Sequence, residues 1–155
     1  MNNQWINSDR LQALQLKFPE ELEIAVDGVQ AAVVTEPLVL PALMEELKYG
    51  ADWQFSMLSS LTAVDYKTYF MVVYHLYSPA LRQGIVVKCR CERENPRVPS
   101  VTRWWPAEFQ EREVYDLLGV FFTGHGDLRR ILMPDDYSGH PLRKDFQAPA
   151  RAEKR

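Results

Sequence analysis

Three consecutive runs, LTAVDY (61–66), YFMVVYHLYS (69–78) and GIVVKCRCE (84–92), constrain this chain more than anything else in it. Each is rich in β-branched and aromatic residues, and only short stretches separate them, with Gly84 marking the last turn. Strands joined so tightly pair antiparallel, because parallel pairing needs a crossover of about a dozen residues or more. Upstream, LEIAVDGVQAAVV reads as two further strands joined by Asp27-Gly28, a dipeptide favoured in type I′ hairpin turns. There Leu22, Ile24 and Val26 alternate with Glu23 and Ala25, which predicts one buried face.

Helical spacing is mixed among these strands. NSDRLQALQLKF opens on cap residues Asn7 and Ser8, places Leu11, Leu14 and Phe18 on one side and stops at Pro19. In EPLVLPALMEELKYG, residues Leu40, Leu43, Met44 and Leu47 form an i, i+3, i+4, i+7 stripe. Pro37 and Pro41 confine the start of that helix, and Gly50 suits its C-terminal cap. Helices and strands do not alternate regularly, so the expected class is α+β: a mostly antiparallel sheet with helices packed on one face.

Past residue 95 the texture changes. Pro96 and Pro99 interrupt the strand pattern, and TRWWP leads into a helix expected over 106–118, ending at Gly119. Ala107, Val114, Leu117 and Leu118 make its apolar stripe, while Glu108, Arg112 and Asp116 form a charge ladder expected on the solvent side. Phe109 breaks that scheme by projecting among Arg112, Glu113 and Asp116, where an exposed ring gains nothing. Residues 119–155 hold three prolines, four glycines and few periodic signals. The expected organisation is a core domain over 1–118 and a long irregular segment of the same domain, 119–155, that docks on partners.

Composition narrows the function classes. At 155 residues and 46% hydrophobic, the chain is long enough for one buried core. A net charge of −3 gives no global attraction to nucleic acid, although residues 129–155 carry seven Lys/Arg against four Asp/Glu. MNNQWINSDR lacks the features of a secretory signal, and the most apolar run, YFMVVYHLY, is about half of what a bilayer span requires. Cys89 and Cys91, in a C-x-C on one strand face, do not complete a zinc or iron–sulfur site alone. Two free thiols in a reducing cytoplasmic setting are expected.

The mixture after residue 119 is the composition of a docking surface: Phe121, Phe122, Tyr137 and Phe146 with Arg129, Arg130, Arg143 and Lys144. The same mixture suits single-stranded nucleic acid, but Asp127, Asp135, Asp136 and Asp145 interleave with it. A different class of reading is a stand-alone metal-dependent hydrolase using His125, Asp127 and His140. Asp135 and Asp136 are further ligand types nearby, yet no H-E-x-x-H or C-x-x-C spacing is present.

EREVYDLLGVFFTGHGDLRRIL (111–132) closely resembles the signature of the 30 kDa subunit, the C-type subunit, of respiratory complex I. ILMPDDYSGHPLRKDF, LTAVDY and WWPAEFQERE resemble that family too, so the likeness runs from about residue 50 to residue 147. The resemblance implies a peripheral-arm subunit of a proton-translocating NADH:quinone oxidoreductase. It implies no cofactor in this chain, with FMN and iron–sulfur clusters in partner subunits. The implied partners are the large subunit that shapes the quinone cavity and the cluster-bearing subunits; the implied place is the cytoplasmic side of a bacterial cell membrane, reached through the complex. The expectation from QAPARAEKR at the end of the sequence is a subunit not fused to the large subunit and without a long C-terminal extension, unlike some relatives. Ferredoxin-fed photosynthetic complexes and membrane-bound hydrogenases or formate hydrogenlyases share the signature, so it does not fix the electron donor. The residues expected at subunit interfaces are Phe109, Glu111, Arg112, Glu113, Asp116, Phe121, Phe122, His125, Arg129, Arg130, Tyr137, Arg143 and Lys144.

Overall fold

A computed structural model describes residues 5–27 and 30–150. Helix α1 (Ser8–Lys17) starts where Asn7 caps it, its side chain accepting from the Arg10 N–H at 3.0 Å. Strands β1 (Glu23–Asp27) and β2 (Gln30–Thr35) pair antiparallel, and α2 (Leu40–Tyr49) follows with Leu40, Leu43, Met44 and Leu47 fully buried. Strands β3 (Met57–Asp65), β4 (Tyr69–Ser78) and β5 (Gln83–Glu92) form the antiparallel meander that their spacing predicts.

The five strands make one sheet in the order β1-β2-β5-β4-β3. One junction, β2 with β5, is parallel. Between those two strands the chain inserts α2, β3 and β4, which supplies the crossover that parallel pairing needs. Alternate residues set the core face: Phe70, Val72, Tyr74 and Leu76 of β4 lie opposite Cys91, Cys89, Val87 and Ile85 of β5, all buried. They share one apolar cluster with the α2 stripe and with Leu11 and Leu14 of α1. Among the described residues no helix is long and apolar enough to cross a membrane.

Local expectations meet mixed outcomes. Asp27 ends β1 opposite Gln30, and the expected Asp27-Gly28 turn falls on residue 28, outside the described residues. The alternation in β1 fades, since Leu22 is buried but Val26, on the edge strand, is 72% exposed. Gly50 is the C-cap of α2 as its position suggests, at φ −58; a Cβ there would come within 2.5 Å of the Glu46 carbonyl oxygen.

Helix α3 (Glu108–Leu118) begins two residues later than expected, after a buried Ala107 at its N-cap. Gly119 ends it at φ 75, its N–H donating to the Tyr115 carbonyl. The 119–155 segment is not wholly irregular. Strand β7 (Phe121–Thr123) pairs parallel with β6 (Arg97–Pro99), a two-stranded sheet that the prolines at 96 and 99 hide from a reading of the sequence. Residues 128–146 then return across α3 as a strap without regular structure.

Candidate docking surface

Two carboxylates of α3 are fully buried, Glu111 and Asp116, the second of which the charge ladder places on the solvent side. Glu111 accepts from the Ser100 hydroxyl and from the Val101 N–H, each at 2.7 Å, and so ties α3 to the end of β6. Burial pushes its carboxyl above the usual range, against the pull of those two donors and of His125, whose Nε2 lies 4.0 Å away. His125 is itself sealed in, with a side chain 1% exposed. Its Nδ1 accepts from the Asp127 N–H at 2.9 Å, which leaves the proton on Nε2 to donate to the Glu108 carbonyl at 3.1 Å.

Asp116 organises the strap. One of its oxygens accepts three consecutive backbone N–H groups, Ile131 at 3.1 Å, Leu132 at 2.7 Å and Met133 at 2.9 Å. The other receives the Arg130 guanidinium at 2.7 Å, which also donates to the carbonyls of Tyr137 and Gly139. Burial alone would raise this carboxyl; the Met133 N–H, Arg130 and the other two amides outweigh it and hold it below the ordinary value.

The last turn of a helix leaves carbonyls without partners, and here the strap supplies them. Asp116 O takes His140 Nδ1 at 2.9 Å and Arg130, Leu117 O takes the Leu142 N–H at 2.9 Å, and Leu118 O takes Arg143. Such close approach requires Gly119, where a Cβ would come within 2.6 Å of both His140 and Arg143. A second latch lies at the end of β3. Asp65, 4% exposed, accepts from both terminal nitrogens of Arg93 and, at 2.8 Å, from the Lys144 N–H, while Arg93 also reaches Asp145 at 3.2 Å. Burial works against the Asp65 carboxylate, but Arg93 and the backbone N–H groups of Lys144 and Lys67 hold its pKa far below normal.

The structure therefore divides the residues expected at interfaces. Glu111, Asp116 and Phe122 are inside this chain, and the His125 imidazole is buried with them; their side chains hold the surface from beneath. Arg112 does not sit in a solvated ladder: it donates to the carbonyls of Arg129 and Arg130, both at 3.1 Å. Arg130 is committed to Asp116, and Arg143 lies half-buried over the Phe70 ring. Tyr137 is half-buried and stacks on Phe146. Exposed are Phe109 at 64%, Phe121 at 40%, Glu113, Lys144 and Arg129, the last paired with Asp127 at 3.0 Å.

Sequence reasoning missed Leu132, 59% exposed, and Leu142, 60% exposed, which the strap displays beside Asp116 and Leu117. It also missed Asp65, Arg93 and Ser100 as the anchors; each sits in a turn-like or strand-end context that carries no periodic signal.

The structure does not bring the candidate metal ligands His125, Asp127 and His140 together. His125 is bonded at Glu108 and His140 at Asp116, eight residues apart on α3, or about 12 Å along its axis. Among the described residues no group of three or more His, Cys, Asp or Glu could hold a metal ion. Cys89 and Cys91 are free and buried on the core face of β5.

Residues 33–152 match the family model described as the respiratory-chain NADH dehydrogenase 30 Kd subunit. The chain is 50% identical over 141 residues to the C-type subunit of the NADH-quinone oxidoreductase of Moorella thermoacetica, covering 88% of this chain and 93% of that relative. Its fold aligns at TM-score 0.74 and 27% identity with a chain of the membrane-bound sulfane sulfur reductase, an archaeal respiratory membrane complex, covering 90% of this chain and 84% of that one. It also aligns at TM-score 0.63 and 33% identity with the trypsin-resistant fragment (1–134) of Nqo5, covering 77% and 97%. With the α+β sheet, the signature helix and its strap all in place, this chain belongs to the 30 kDa subunit family of respiratory NADH dehydrogenases.

Proposed function

We propose that this chain is a cofactor-free peripheral-arm subunit of a proton-translocating NADH:quinone oxidoreductase, held on the cytoplasmic side of the membrane through the complex. Its place is beside the large subunit that shapes the quinone cavity and near the cluster-bearing subunits. Its contribution is structural: it positions partners so that the assembled enzyme carries electrons from NADH to quinone. The observation that supports this most is the exposure of Phe109, Leu132 and Leu142 on a backbone fixed by buried carboxylates. Large apolar side chains on a rigid, charge-flanked frame are what a protein partner covers.

The test is assembly. Leu132→Asp and Leu142→Asp should leave the melting of the free subunit within about 0.5 kcal/mol, as exposed substitutions usually do, yet deplete the intact complex on native gels of membranes. Normal assembly with normal NADH:quinone activity would reject the docking role. A second reading, a subunit of a respiratory complex with another electron donor or acceptor, is favoured by the likeness to the sulfane sulfur reductase chain. Oxidation of NADH against reduced ferredoxin by the purified complex separates the two.

A further inference from the structure

Away from α3 and the strap, a groove of about 390 Å³ opens where the turn before β1, the end of β2 and the approach to α2 meet. Leu22, Val34 and Val39 give it an apolar lining, and Leu38 stands on its edge 93% exposed. A leucine so fully in water adds nothing to this chain's own core. Around it stand Glu20, Glu21, Glu23 and Glu36, all exposed. Unlike Asp65, Glu111 and Asp116, these four side chains have no hydrogen-bond or ion-pair partner among the described residues. The lining holds one cation, Arg90, and its guanidinium is stacked 4.8 Å from the Tyr69 ring. Three negative charges in excess, equal to the net charge of the whole chain, thus converge on one apolar groove.

The geometry points to a docking site for a basic, amphipathic segment of another protein. An apolar side chain of that segment packs on Leu38 and Val39, and its lysines or arginines reach Glu20, Glu23 and Glu36. The apolar surface supplies affinity, while the unpaired carboxylates select the sign of the partner and steer its approach. An acidic segment or a nucleic acid meets the same carboxylates as repulsion. No residue of the groove belongs to α3 or the strap, so failure here leaves the docking role of the strap untouched.

The experiment titrates the nitrogen-15-labelled full chain with a capped hexapeptide of alternating lysine and leucine; the control peptide carries glutamate for lysine. Shifts confined to the amides around Leu22, Val34, Leu38 and Val39, with none for the control, are expected. Raising salt from about 0.01 M to about 1 M cuts the screening length from about 30 Å to about 3 Å and should weaken binding about tenfold or more. Glu23→Lys with Glu36→Lys should weaken it as much, and Leu38→Ser by about fivefold, with melting unchanged in both. The proposal falls if the control binds equally, if the shifts centre on Glu108, Glu113 or Asp135, or if binding ignores salt and Leu38→Ser alike.

Discussion

Asp116 is the residue on which most of the surface depends. Replacing it by alanine strands three backbone N–H groups and the Arg130 guanidinium in a water-poor site, so Asp116→Ala should cost about 3 kcal/mol or more. Asp116→Asn keeps the shape but turns an amide N–H toward donors and should cost about 1–3 kcal/mol, read by urea unfolding. Glu111 behaves differently, because its carboxyl is raised rather than lowered. A raised carboxyl contributes stability fully below its unfolded pKa and loses it as pH climbs through the folded value. Glu111→Gln should therefore be near neutral at pH 7, within about 1 kcal/mol, since the amide oxygen still accepts the Val101 N–H. Glu111→Ala should not be neutral. The thiols give a third residue-scale expectation: burial drives Cys89 well above normal and Cys91 to about 11, so neither should react with Ellman's reagent before unfolding. Two thiols should titrate afterwards; two reacting at once in the native protein would contradict the core placement.

At the scale of elements, the sheet is legible in the sequence because its signal is local. Period-two burial in YFMVVYHLYS and the leucine stripe of α2 each follow from residues a few positions apart. The parallel β2–β5 pairing and the β6–β7 pair join residues far apart in sequence, where no local pattern reports them. The solvent-side placement of Asp116 fails for the same reason, whereas Glu108 is exposed as expected. A charge ladder and a buried latch look identical until the strap is in place, because what buries Asp116 is the amides of residues 131–133. Phe109 is the outlier that the helix pattern makes it, being both exposed and 5.8 Å from the Arg112 guanidinium. The two neighbours nevertheless part company. Phe109→Ala should leave the free subunit within about 0.5 kcal/mol, whereas Arg112→Ala removes two bonds to strap carbonyls and should cost about 1–2 kcal/mol. Thermal melting of the two variants side by side decides between them; equal, negligible effects would return Arg112 to a solvated face.

For the whole molecule, the two latches make the strap part of the fold rather than a tail attached to it. Asp116 binds it to α3, and Asp65 with Arg93 binds it to the end of β3, at opposite ends of a stretch with no regular structure. Both carboxyls are held below their ordinary values in the folded state. A depressed carboxyl contributes stability above its unfolded pKa, about 3.9 for aspartate, and that stability is lost as pH falls below it. The strap and the sheet should therefore lose stability together on acidification, with the steep part below about pH 4. Asp65→Asn and Asp116→Asn should each flatten that slope while lowering stability at pH 7. Urea midpoints across the pH range, followed by tryptophan fluorescence for the core and by exchange of the amides at 131–133 and 144 for the strap, measure both at once. Coincident transitions would mean that a partner meets a surface already in shape, with little ordering left to cost affinity. Strap amides that exchange freely while the core stays folded would mean that docking and folding of the strap are one event.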